Sequence, residues 1–266
     1  MAFFGIDPQL ASALLTAAQL TVCPMQDAPR VEVYFSYDPP VYNANYTSAT
    51  LKRSMQKNDP DTTHVGGKGL LLGVTSSKVT DGTNVHFSLL SDKKGNTCIY
   101  PVRIVLNIRY DAGVFIASEL KDMECSYKIT MAHENQHVRY DIQTLNEYLP
   151  RIQMEMMHYL KAFGYQGRGP FRSGEATAVQ KQLLEEIRRA AAPMYERMRE
   201  VRRMRQESLD TEESYRKQSD ICDMDKEKLR EVYRTTYMTA EQAEAPKMQP
   251  AARANKAAPA AQKEKK

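Results

Sequence analysis

Hydrophobic side chains in this 266-residue chain change their spacing once, near Ser126, and that change limits the fold more than any other feature. Before it the apolar period is two, the mark of half-buried strands; after it the period is three to four, the mark of helices packed on one side. Val31 to Tyr37, Gly69 to Thr75, Val85 to Ser91 and Cys98 to Tyr110 read as strands. Val102, Ile104, Leu106 and Ile108 share one face of the last. Asp81-Gly82 and Lys94-Gly95-Asn96 supply turns, which predicts an antiparallel meander with one buried face. From Ser126 onward, Ile142, Leu145, Leu149, Ile152 and Met156 predict a helix that Pro150 divides into about 126–149 and 151–163. A loop over 164–174 leads to a second long helix, kinked at Pro193, with Val179, Leu183, Ile187, Met194, Met198 and Val201 as its seam. Residues 209–237 are helical again and more polar.

The fold class is therefore α+β, with strands over about 31–117 and helices over about 126–237 of one domain spanning 31–237. Residues 1–30 form a separate segment. Leu10 to Cys23 is apolar like the core of a degenerate signal peptide, although no Lys or Arg precedes it; alternatively, Asp7-Pro8 starts an ordinary helix. Residues 238–266, rich in Ala, Pro and Lys, are expected to be disordered, because they offer too little apolar surface to offset ordering.

No run of 18 apolar residues exists, so no transmembrane helix is expected. The net charge of +4 collects in Arg188 to Arg205 and in the tail, without an aromatic-rich or zipper motif, which argues against nucleic acid. Cys23, Cys98, Cys125 and Cys222 form no CxxC pair; two disulfides fit an oxidising compartment. A Cys98–Cys125 bridge is expected to tie the sheet to the following helix, with buried thiols as the alternative. A secreted or periplasmic protein is the expectation, a cytoplasmic one the alternative.

Eight residues after the third cysteine stands His133-Glu134-Asn135-Gln136-His137, the pattern HExxH. Positions four apart stack on one helical face, so two imidazoles can share one Zn²⁺ at about 2.0–2.1 Å while Glu134 serves as base toward a water. A catalytic zinc normally takes a third protein ligand. Asp141 extends the ladder by one turn, but it and His133 are about 12 Å apart along the axis, which favours a role orienting an imidazole. Glu212, with Glu213 or Tyr215 as alternatives, offers a ligand from another helix; Tyr215 also fits a transition-state donor. His158 lies too far along the helix, and His64 and His86 belong to the sheet region.

Strands, a cysteine, HExxH and a helical C-terminal part together resemble zincin-type metallopeptidases. More narrowly, the chain is similar to small bacterial domains predicted to be secreted zinc proteases, which carry a later Asp/Glu/Thr motif ending in histidine. The resemblance covers about residues 30–220 and aligns LDTEESY with that motif, where Tyr215 stands in place of the histidine. It implies His133 and His137 as zinc ligands and Glu134 as base. The expected function is hydrolysis of a peptide or protein substrate by metal-activated water; the alternative is a non-catalytic zincin-like envelope or interaction protein using its long charged helices.

Overall fold

The computed structural model describes residues 21–58, 70–163 and 167–235. The expected N-terminal helix or signal, His64 and the 238–266 tail lie outside these residues. Five strands form one sheet: β1 (Arg30–Tyr37), β2 (Val41–Asn43), β3 (Gly73–Ser91), β4 (Asn96–Ile116) and β5 (Arg168–Arg172). β4 is central and carries the core, with Cys98, Ile104, Leu106, Tyr110, Val114 and Ile116 fully buried.

The sheet is mixed rather than an antiparallel meander. β1 and β2 both pair parallel to β4, while β3 and β5 pair antiparallel to it. A parallel pair requires a crossover, and periodicity in one strand carries no information about its neighbour's direction. The hairpin between β3 and β4 is longer than expected. Asp81 and Gly82 do not turn; they continue β3 opposite Ile108 and Asn107, where Arg199 takes the Asp81 carboxylate at 2.6 Å. The turn falls at Lys94-Gly95-Asn96, as expected, where Gly95 adopts φ 80° and the Asp92 carboxylate accepts from the Lys94 and Asn96 amides.

The polar stretch after β2 contains α1 (Ser48–Asn58), capped by the Thr47 hydroxyl on the Thr50 amide. The helical half begins with α2 (Glu124–Phe163), which runs unbroken through Pro150. One proline removes a single ladder bond, and Leu145, Ile152, Met156 and Leu160, buried on either side of it, hold the helix together. α3 (Ala176–Leu209) likewise contains Pro193 and buries Leu183, Ile187, Ala191, Met194, Tyr195 and Met198. Between them, residues expected as loop supply β5. α4 (Glu212–Ile221) follows, capped by Thr211 on the Ser214 amide at 3.1 Å, and buries no residue. α5 (Lys226–Tyr233) belongs to a separate unit and is itself without buried residues.

Two disulfides form, Cys23–Cys98 and Cys125–Cys222, in place of the expected Cys98–Cys125 bridge. Cys98 is buried with Tyr100 beside the N-terminal segment, while Cys125 opens α2 opposite the end of α4. Each disulfide thus fastens a peripheral segment to the core. Among the described residues no helix is long and apolar enough to cross a membrane.

Candidate metal centre

α2 and α3 pack side by side through two facing ladders of residues four apart. His133, His137 and Asp141 on α2 meet Asp210, Gln206 and Arg202 at the end of α3, in that order. Each step forward on one helix matches a step back on the other, so the helices are antipositioned in register along this seam. The seam turns polar where the apolar stripe of α3 ends: Met194 and Met198 are buried, and the next positions of the same four-residue series are Arg202, Gln206 and Asp210.

At the open end of the seam, His133 Nε2, His137 Nε2 and Asp210 Oδ1 form a nearly equilateral triangle. Its sides are 3.1 Å between the imidazoles, 3.1 Å from His133 to Asp210 and 3.2 Å from His137 to Asp210. Ligands about 2.0–2.1 Å from a tetrahedral ion stand about 3.3–3.4 Å apart, so three donors converge at the spacing that one small cation demands. The imidazole side chains are only 7% and 8% exposed and that of Asp210 26%, which leaves one side approachable.

The surroundings of His137 set its protonation pattern. The Gln206 amide nitrogen donates to the His137 carbonyl at 3.0 Å and to Asp141 Oδ1 at 2.5 Å. Its oxygen consequently faces His137 Nδ1, so the neutral imidazole holds its hydrogen there, and loss of the second proton frees Nε2 for the triangle. Asp141 is fully buried and does not touch an imidazole; it bonds Arg202, Gln206 and the Ser77 hydroxyl, and it reaches His137 through Gln206.

Charge is unevenly shared. Burial works against ionised Asp210, but hydrogen bonds from His133, His137 and Tyr215 outweigh it and hold the carboxyl far below the usual range. Burial alone would lower the His137 pKa, yet the bond and charge of Asp210, helped by Gln206 and Glu134, raise it. The Tyr215 hydroxyl donates to Asp210 Oδ1 at 2.6 Å, its ring centroid lies 5.5 Å from His133, and burial together with that carboxylate raises its pKa.

Glu134 points to the flank of the triangle, toward β3. It is 5% exposed, and burial raises its pKa despite the nearby histidines and the Thr75 hydroxyl, which donates to Oε2 at 2.8 Å. Gly73 makes this proximity possible: a Cβ there would stand 2.6 Å from Glu134 Oε1 and 2.6 Å from Thr130 Cγ2.

Of the residues singled out in the sequence, the fold brings His133, Glu134, His137, Asp141 and Tyr215 together. Glu212 and Glu213 stay exposed in the first turn of α4, where carboxylates favour a helix start, and Glu213 pairs with Lys217 at 2.7 Å. Asp210 occupies the position expected of Glu212, two residues earlier. The sequence signal for it was the polar continuation of the α3 stripe, which also marks Gln206 and Arg202. A second cluster, Cys125, Cys222 and Asp225, has its sulfurs joined in a disulfide, and Asp225 caps α2 through the Ser126 amide and hydroxyl.

Scans against protein-family models, curated proteins and solved structures each returned no match.

Proposed function

We propose that this protein is a zinc-dependent peptidase whose metal ligands are His133, His137 and Asp210. The observation that carries the reading is the triangle of two imidazole nitrogens and one carboxylate oxygen, 3.1–3.2 Å on a side, with a carboxylate one residue from the first ligand. Two nitrogens and one oxygen suit Zn²⁺, which needs no redox partner and leaves a fourth position open. When bound, the ion supplies a Lewis acid and a water of lowered pKa.

The chain's own groups do the rest. Glu134, held on Oε2 by Thr75, keeps Oε1 available to accept a proton from the attacking water and to return it to the leaving amine. Burial raises its pKa, which favours its taking up that proton. Tyr215 steadies Asp210 in the resting site and stands beside His133, within reach of a substrate carbonyl at the open side. β3 pairs only with β4 among the described strands, so its Gly73–Thr75 end offers an extended peptide an edge next to Glu134. The two disulfides support a secreted or periplasmic setting.

The alternative, a non-catalytic interaction protein, finds less support on α3. Its charged face is largely occupied by its own pairs, Arg188–Glu185, Arg199–Glu196, Arg203–Glu200 and Arg203–Glu207. Metal analysis with three proteins separates the readings. The wild type should bind about one zinc and cleave a quenched-peptide library; Glu134→Ala should keep zinc and lose turnover; His133→Ala should lose both. Zinc retention without any cleavage by the wild type would instead favour the interaction protein.

A further inference from the structure

Both candidate ligand histidines have their outer nitrogen met by a glutamine side chain, and the two glutamines come from different helices. Gln206, on α3, faces His137 Nδ1 with its amide oxygen; Gln218, on α4, places its amide nitrogen 2.8 Å from His133 Nδ1 and 3.3 Å from the Ser214 hydroxyl. A neutral imidazole carries one hydrogen on one of its two nitrogens, and only the nitrogen without it can enter the triangle. An acceptor at Nδ1 draws the hydrogen there and frees Nε2.

We propose that Gln206 and Gln218 are a pair of positioning residues that fix both imidazoles in the tautomer the metal needs. This rests on the metal-site reading above. Gln206 is locked into its role, since its amide nitrogen is engaged by the His137 carbonyl and by Asp141. Gln218 is not locked. Ser214 Oγ both donates and accepts, so a half-turn of the amide satisfies it equally and presents oxygen to His133 Nδ1. With a metal on Nε2, the oxygen-facing arrangement is the one that accepts the Nδ1 hydrogen.

The position of Gln218 adds a consequence. α4 buries none of its residues, so its packing alone does not explain its location against α2. It is held at one end by the Asp210–Thr211 junction and at the other by the Cys125–Cys222 disulfide. That segment therefore delivers three groups to one imidazole: Asp210 on Nε2, Gln218 on Nδ1 and Tyr215 against the ring.

The test uses the full chain, zinc competition against a chromophoric chelator, and ¹⁵N shifts of the histidine rings in the metal-free protein. Gln218→Met keeps length and removes the acceptor; Gln218→Glu keeps length and is acceptor only. Gln218→Met should weaken zinc binding about 10- to 100-fold, as loss of an outer-shell partner does, with unchanged thermal stability of the metal-free protein. Gln218→Glu should bind at least as tightly as the wild type. In the ring spectra, His133 should move from the Nδ1–H to the Nε2–H tautomer in Gln218→Met alone, and Gln206→Met should do the same to His137. Zinc affinity of Gln218→Met within twofold of the wild type, or an equal loss in Gln218→Glu, would overturn the proposal. A wild type that binds no zinc would overturn the metal reading itself, a separate outcome visible before any variant is made.

Discussion

Arg202 holds Asp141 at two points, Nε to Oδ1 at 2.6 Å and a terminal nitrogen to Oδ2 at 3.0 Å, one helical turn beyond His137 on the seam between α2 and α3. The carboxylate side chain is 1% exposed and the guanidinium 20%. A buried pair of this kind contributes little over a well-packed apolar substitute, but breaking it strands a charge. Arg202→Met should therefore destabilise the protein by about 3–5 kcal/mol in urea unfolding, whereas the double change Asp141→Leu with Arg202→Met should recover much of that loss. A double variant as unstable as the single one would show that the partners act separately.

The Cys125–Cys222 disulfide closes a separation of 97 residues and pins the segment that carries Asp210, Tyr215 and Gln218. Replacing both cysteines by serine should cost about 2–4 kcal/mol of stability and weaken zinc binding. Linkage requires the reverse effect as well: bound zinc should shift the thiol–disulfide equilibrium of this bridge toward the disulfide in the wild type, read by alkylation of the freed thiols in glutathione redox buffers, and leave Cys23–Cys98 unaffected. An equal reduced fraction with and without zinc would disconnect the disulfide from the site.

The pH dependence follows from opposed shifts at two contacting groups. His137 has a raised pKa, so its contribution to the metal-free fold is present below its ordinary value of 6.5 and is lost as pH rises through the folded value. Asp210 has a lowered pKa, so its contribution is present above its ordinary 3.8 and is lost only in strong acid. Zinc must displace the His137 proton, so its affinity runs the other way and falls as pH drops through that raised value. Urea midpoints of chelator-treated protein should decline as pH rises above the ordinary His137 value of 6.5, and Asp210→Asn should flatten the decline.

How much of this was legible depends on what kind of relation each feature expresses. Spacing within one segment was largely readable: the alternation placed Ile104, Leu106 and Ile108 on the buried face of β4, although Val102, expected with them, is exposed where the β3–β4 register shifts, and His133 and His137 gave one helical face with Glu134 on its flank. Relations between distant segments were not. The parallel partners of β4, the pairing of Cys98 with Cys23 rather than Cys125, and the meeting of Asp210 with His133 all depend on packing across at least 72 positions. Asp210 was also masked by its neighbours, because Glu212 and Glu213 carry the same charge two and three residues later but serve the start of α4. The four-residue series through Met198, Arg202, Gln206 and Asp210 was the available clue, since polar side chains that continue a core stripe must meet polar partners there.

Gly73 supplies the sharpest separation of chemistry from metal binding. A methyl group on its Cα would sit 2.6 Å from Glu134 Oε1 and 2.8 Å from Glu134 Cγ. Thr130 Cγ2, also 2.6 Å away, blocks retreat on that side, so Glu134 must swing off its bond with Thr75. Gly73→Ala should cost about 1–3 kcal/mol of stability from overpacking. It should leave zinc affinity near that of the wild type, because His133, His137 and Asp210 remain in place. Turnover should fall about 100-fold or more, the scale on which a displaced base is felt. Peptide cleavage by Gly73→Ala at the wild-type rate, with zinc bound, would remove Glu134 in its observed position from the mechanism.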